Sequence, residues 1–133
     1  MKLFNFEKWT KKEEIVPKNL QDAIVFLYNN SSEHERFYFS QEPADHPGSR
    51  YHFSCGRVMR NGWGLWEKEK PLTQWFRNHG IWHADDMSAI IYKAYWCFLN
   101  SAPFAIQEEA KQYETFWKKS GLGFDGKEIS YVN

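Results

Sequence analysis

The chain lacks the cysteines that a disulfide framework or a structural zinc site would need. Its 133 residues include only Cys55 and Cys97, and neither has a further ligand at metal-binding spacing. Cys97 lies among Tyr95, Trp96 and Phe98, where a cysteine usually acts as a small buried hydrophobic residue. We therefore predict a protein without a bound metal ion and without a cofactor.

Long apolar runs are also absent. No stretch approaches the roughly 20 apolar residues that a membrane-spanning helix needs, and no secretory hydrophobic region follows the first residue. The sequence therefore predicts a protein of the reducing cytoplasm that makes no membrane contact.

An excess of charge is missing as well, because 17 basic residues balance 17 acidic ones. Proteins that bind nucleic acid normally place an excess of Lys and Arg against the phosphates, so nucleic acid is not an expected partner. A local cluster of Lys8, Lys11 and Lys12 is followed at once by Glu13 and Glu14, which indicates a solvated surface of mixed charge.

Aromatic residues, in contrast, are abundant. They make up 19% of the chain, with 7 Trp, 7 Tyr and 11 Phe, and each buried ring contributes a large apolar area. This share offsets an overall hydrophobic content of 42% and predicts one folded domain. We place that domain at residues 17–119, after an N-terminal arm at residues 1–16 and before a C-terminal tail at residues 120–133.

Apolar residues recur at helical spacing along most of this domain. Asn19 is placed to cap the first helix, Pro71 to start a later one and Gly80 to end it. An FYF run at residues 37–39 is also compatible with a strand, although we prefer a helix there. The predicted fold is mainly α, a small single-domain bundle of roughly five or six short helices, at residues 20–29, 33–40, 50–60, 71–79, 85–99 and 105–118.

Two polar and aromatic blocks stand out from this packing pattern. Residues 60–66 read RNGWGLW and residues 83–88 read HADDMS. Together they gather more tryptophan, glycine and charge than an ordinary helical surface needs. The candidate residues for binding a ligand or a partner are Arg60, Asn61, Trp63, Trp66, His83, Asp85 and Asp86; no catalytic residue is assigned.

The aspartates of the second block have two interpretations. In the first, Asp85 caps a helix and Asp86 lies against the positive end of its dipole, for about 1–2 kcal/mol of stability. In the second, the two carboxylates serve metal binding or acid–base catalysis with His83. Neighbouring carboxylates on a helix point in different directions, which favours the structural interpretation.

The first block also has two interpretations. It can be a turn in which Asn61 and Gly62 adopt positive φ, with both tryptophans in the core and Arg60 bonded to the aspartates of the second block. Alternatively it can be the floor of a ligand site, with an aromatic plane, a guanidinium for an anionic group and an amide for directional hydrogen bonds. A structure that shows whether the arginine is bonded or open decides between them.

The two blocks, the stretch at residues 76–80 and the YETFW run at residues 113–117 resemble a family of small uncharacterised proteins from bacteria and their phages. The resemblance covers about residues 17–119 and concerns a domain of unknown function. Ala84 departs from it, because relatives have proline before the paired aspartates. The resemblance implies the fold, the location of the site and a bacterial or phage setting, but no activity.

We consider three hypotheses for the function. The first is a non-enzymatic protein that binds a partner protein through an aromatic surface, in phage–host conflict, anti-defence or toxin neutralisation. It follows from the aromatic surplus, the neutral charge and the lack of a complete catalytic set. The second is a protein that binds or sequesters a nucleotide-like small molecule at Arg60, Asn61 and Trp63. The third is a hydrolase that uses His83 with Asp85 or Asp86.

Overall fold

The computed structural model describes residues 16–121, which form six α-helices, one 3₁₀ turn (Ser49–Tyr51) and no strand. The prediction of a small, single-domain helical fold is confirmed. Most of the predicted N-terminal arm, the lysine cluster within it and most of the predicted C-terminal tail lie outside the described residues. The helices are α1 (Leu20–Asn29), α2 (Glu33–Ser40), α3 (Cys55–Gly62), α4 (Pro71–Asn78), α5 (Ala84–Leu99) and α6 (Ile106–Lys119).

Side-chain caps define the first two helices. The Asn19 side chain accepts a hydrogen bond from the Asp22 amide at 2.8 Å, so the predicted cap of α1 is confirmed. Ser32 and Glu35 form a capping box, in which each side chain bonds to the other residue's backbone amide. This box sets the FYF run in helical rather than extended backbone.

The helix predicted at residues 50–60 is wrong at both ends. The chain makes a 3₁₀ turn at Ser49–Tyr51 and begins α3 only at Cys55, because Ser54 has a non-helical backbone (φ −109°, ψ −93°). At the other end α3 continues through Gly62, so the predicted positive φ there is also wrong.

The residue with positive φ is Gly64, at +68°. It ends α3 in a Schellman motif, in which the Leu65 amide bonds to the Arg60 carbonyl at 2.9 Å. Gly80, at +87°, ends α4 in the same way, with the Ile81 amide bonded to the Phe76 carbonyl. The predicted helix stop at Gly80 is therefore confirmed.

Helix α5 is the centre of the fold. Ten of its 16 residues are buried, and it packs against α1, α2 and α3. The remaining helices complete the core from outside: α4 contributes Leu72 and Phe76, and Ile106 and Ala110 of α6 pack against its edge. No helix within residues 16–121 is long and apolar enough to span a membrane.

Candidate functional site

Arg60 connects the two sequence blocks directly. Its guanidinium is almost fully buried; it donates to Ser88 Oγ at 2.9 Å and to the His52 carbonyl at 2.8 Å. Its Nε atom lies 3.4 Å from Asp85 Oδ1. The last turn of α3 is thereby bound to the first turns of α5, and the arginine's donors are used inside the protein. This geometry favours the structural interpretation of the first block.

Two histidines surround the same carboxylate. His52 Nε2 and His83 Nδ1 lie 3.9 and 3.7 Å from Asp85 oxygens. The residue that caps α5 is His83, not Asp85 as predicted, because His83 Nδ1 accepts the Asp85 amide hydrogen at 3.0 Å. A nitrogen that accepts this bond carries no proton, so the neutral ring is protonated at Nε2. The Asp85 side chain is free to pair with Arg60 instead.

Asp86 points to the other side of α5 and is buried. Its Oδ2 accepts a hydrogen bond from the Trp117 indole nitrogen of α6 at 2.8 Å. Burial raises the pKa of Asp86 above its ordinary value, and the Trp117 hydrogen bond lowers it in part. The two carboxylates therefore have separate partners, as expected for neighbouring positions on a helix.

The remaining candidate residues divide between the core and the surface. Trp63 is fully buried and meets Phe26 edge to face at 5.5 Å, whereas the Asn61 side chain is exposed. Trp66 is 53% exposed and lies 5.4 Å from the His83 ring. His83 in turn lies 5.5 Å from Trp117 at a tilt of 30°. Arg60, Asn61 and Trp63 thus do not form one open ligand floor.

Among residues 16–121, the structure shows neither an activated thiol nor a metal-binding cluster. Burial raises the pKa of Cys55 to about 11, so this thiol is not an activated nucleophile at neutral pH. Across residues 16–121, no three His, Cys, Asp or Glu side chains are grouped so that they could hold a metal ion. The described polar contacts of Asp85 and Asp86 are those that stabilise the start of a helix and its packing.

A surface that the sequence did not indicate lies at the opposite end of α5. A groove of about 640 Å³ opens there between α1, the end of α5 and the start of α6. We call it the apolar groove; its lining residues are Leu20, Gln21, Ile24, Val25, Tyr28, Asn29, Trp75, Phe98, Phe104, Ala105, Ile106 and Gln107. Val25, Tyr28 and Phe98 are 51%, 39% and 56% exposed, although all three are large and apolar or aromatic.

A smaller cavity lies beside α5, between the loop after α2 and the middle of α6. Its volume is about 160 Å³, and its lining includes His46, His52, Lys93 and Glu109. Lys93 and Glu109 form an ion pair with each other. The cavity is smaller than the roughly 300–1,000 Å³ typical of small-molecule sites, and two of its charged side chains, Lys93 and Glu109, are already paired. The apolar groove is larger than this cavity, and its lining carries no charge.

The part of the chain that the structure describes is a small helical domain built around one long helix. Residues 16–99, from the start of that part to the end of α5, match the family described as Domain of unknown function (DUF6794). The chain belongs to this family. The resemblance to an uncharacterised family is thereby confirmed for these residues, while α6 lies outside the matched range. No curated protein and no solved structure matches the chain.

Proposed function

We propose that this protein is a non-enzymatic binding protein that takes a short, uncharged apolar segment of a partner protein into the apolar groove. The observation that carries the proposal is the lining of the groove. None of its 12 side chains is charged, although charged residues make up 26% of the chain and usually lie on the surface, so that about three would be expected.

An uncharged lining selects an uncharged occupant. A charged side chain that enters such a groove loses its hydration and finds no opposite charge, which is costly. An apolar side chain gains about 25 cal/mol for each Å² of apolar surface removed from water. Tyr28 and Phe98, whose rings meet edge to face at 5.8 Å, provide aromatic surface for that contact.

The size of the groove indicates a short segment rather than a whole protein face. Stable interfaces between folded proteins, including dimers of identical chains, use roughly 20–30 residues on each side. The groove presents 12. A segment of a few turns or a few extended residues fits this surface without further contacts.

The proposal is tested with a pair of phenylalanine variants. Phe98→Glu places a charge in the groove, whereas Phe53→Glu changes a 76% exposed phenylalanine outside it. We expect a displayed library of random peptides to yield apolar ligands for the full chain. Phe98→Glu should weaken their binding at least about tenfold, and Phe53→Glu should leave it unchanged.

Thermal unfolding controls for folding, since both changes are at exposed positions and should leave the melting temperature near that of the unchanged chain. Two results contradict the proposal. One is a library that yields no ligand for the full chain. The other is a set of ligands that Phe98→Glu binds as tightly as the unchanged chain does.

The other hypotheses fit the geometry less well. The nucleotide hypothesis needs the Arg60 guanidinium at an open surface, and this guanidinium is buried, although Trp63 lines a cavity of about 530 Å³. The hydrolase hypothesis needs a free carboxylate beside His83, but Asp85 pairs with Arg60 and Asp86 bonds to Trp117 inside the fold. Our proposal retains the cytoplasmic location and the bacterial or phage setting, in which such a protein would bind a toxin or a defence protein. We also propose that the exposed Trp66 makes a second contact with the partner protein, outside the apolar groove.

A further inference from the structure

We infer that the segment bound in the apolar groove is an α-helix that presents an uncharged apolar face; this inference rests on the proposed function. The walls of the groove are mainly helices, namely α1, α4, α5 and α6, and Phe104 and Ala105 from the segment just before α6 complete the lining. Residues 16–121 contain no strand, so they offer no sheet edge to which an extended peptide could add a strand. The groove therefore provides mainly side chains, and Phe104 and Ala105 are the only lining residues outside a helix.

Backbone hydrogen bonding then decides the conformation of the occupant. Every residue other than proline brings one donor and one acceptor, so an extended segment of five residues brings about ten groups that need partners. The polar groups on side chains along the groove are the amides of Gln21, Asn29 and Gln107, the hydroxyl of Tyr28 and the indole N–H of Trp75. These cannot pair with so many groups, whereas a helix pairs its own backbone internally.

The length of the groove is consistent with a helix. Its lining runs along α1 from Leu20 to Asn29, which corresponds to about 14 Å at 1.5 Å per residue. A bound helix laid beside α1 would place apolar side chains at positions i, i+3 or i+4, and i+7 within about 11 Å. Val25, Tyr28 and Phe98, the exposed large hydrophobic side chains of the groove, would contact this row.

The test compares two proline variants of the tightest peptide selected by the full chain. Proline in the middle of a helix removes a hydrogen bond and clashes with the preceding turn, whereas proline in the first turn is tolerated. We expect the central proline to weaken binding at least about a hundredfold, and the terminal proline to leave it within about twofold. Backbone chemical shifts of the labelled, bound peptide should be helical.

Each other outcome contradicts the inference in an identifiable way. Equal binding by both proline variants, with extended chemical shifts, overturns the helix and leaves the proposed function standing. A library that yields no ligand overturns both. If the full chain forms dimers that Phe98→Glu dissociates, the occupant is a second copy. If a synthetic peptide of residues 1–15 displaces the selected ligand, the occupant is the chain's own segment.

Discussion

Arg60 has the environment of a structural residue, because its donors are bonded to Ser88 and to the His52 carbonyl inside the protein. We predict that Arg60→Ala lowers the free energy of unfolding by about 3 kcal/mol, since it leaves these acceptors and the Asp85 carboxylate without their partner. Urea denaturation measures the change. Asn61→Ala, at the exposed neighbouring position, should change stability by no more than about 0.5 kcal/mol.

The comparison of these two variants decides the role of the first block. If Arg60→Ala is as stable as Asn61→Ala, then the guanidinium contributes nothing to folding, and its position beside Ser88 and Asp85 needs a functional reason. Equal stability of the two variants would therefore support the interpretation of the first block as a ligand site. A clear loss confined to Arg60→Ala supports the structural one.

Asp86 should make stability depend on pH. Its pKa is raised in the folded protein, mainly by burial, so protonation favours folding. The stabilisation from the protonated form is complete below the ordinary value of 3.8 and is lost as pH rises through the folded-state pKa. Asp86→Asn cannot ionise and keeps an oxygen for Trp117. Its stability relative to the unchanged chain should therefore increase as the pH rises.

Urea denaturation of both proteins, from below pH 3.8 to neutral pH, measures this difference. Asp85→Asn is the matched control, since Asp85 is partly exposed and pairs with Arg60 instead of lying in the core. A stability difference for Asp86→Asn that is constant across this range, or that falls as pH rises, would contradict the prediction.

At the scale of an element, the end of α3 depends on which of two glycines has the unusual backbone. An ideal Cβ on Gly64 would lie 2.6 Å from Lys70 Cγ and 2.7 Å from Glu67 Oε2, in addition to the strain of φ +68°. Nothing lies within 4 Å of a Cβ built on Gly62, which is helical. The two positions, although only two residues apart, should respond differently to alanine.

We predict that Gly64→Ala destabilises the protein by more than about 1 kcal/mol, whereas Gly62→Ala is neutral or stabilises it by up to about 1 kcal/mol. The midpoints of urea denaturation provide the comparison. A loss of stability for Gly62→Ala equal to that for Gly64→Ala would mean that the helix ends before Gly62, as the sequence had suggested.

The helices could be predicted from sequence where their signals are local. Asn19, Pro71 and Gly80 each act within one turn of the chain, and each predicted boundary agrees with the structure. The sequence predicts Asp85 as the cap of α5, because aspartate is a good cap, but Arg60 pairs with its carboxylate from 25 residues away. No local sequence pattern reveals that contact. Because the Asp85 carboxylate is used by Arg60, His83 caps the helix instead.

The apolar groove could not be predicted either, because it also depends on residues that are far apart in the sequence. Its lining comes from four helices and the residues before α6, and the spacing of these helices follows from their packing on one core. A local indication existed, because Val25 and Tyr28 are apolar or aromatic at positions next to the buried stripe of α1. With Val25 and Tyr28 included, the apolar stripe of α1 is wide, and a wide stripe is equally typical of a helix that is buried on two sides.

The contacts of Arg60 and the apolar groove lie at opposite ends of α5. Arg60 contacts its first turns at Ser88, whereas Phe98 belongs to its last turn. Ten residues of helix separate these positions by about 15 Å. Substitutions at one surface should therefore leave the other unchanged.

The groove also depends on α6, which contributes Ile106 although it lies outside the family match.

Helix α6 should be less stable than α5. Glu109 is the one buried residue of α6, whereas α5 buries ten. A helix with so little buried surface can open locally while the rest of the domain stays folded. In native-state hydrogen exchange, we expect α6 amides to exchange through openings at least about 2 kcal/mol less costly than those of α5.

The ion pair between Lys93 and Glu109 provides a sharper version of this test, because the Glu109 side chain is buried and connects α6 to α5. Glu109→Gln should speed exchange in α6 and leave α5 unchanged. Lys118→Ala removes an exposed ion pair within α6 and should change local stability by no more than about 0.5 kcal/mol. Identical exchange free energies in α5 and α6 would instead show that α6 opens only when the whole domain unfolds, and that the groove it helps to line is as permanent as the core.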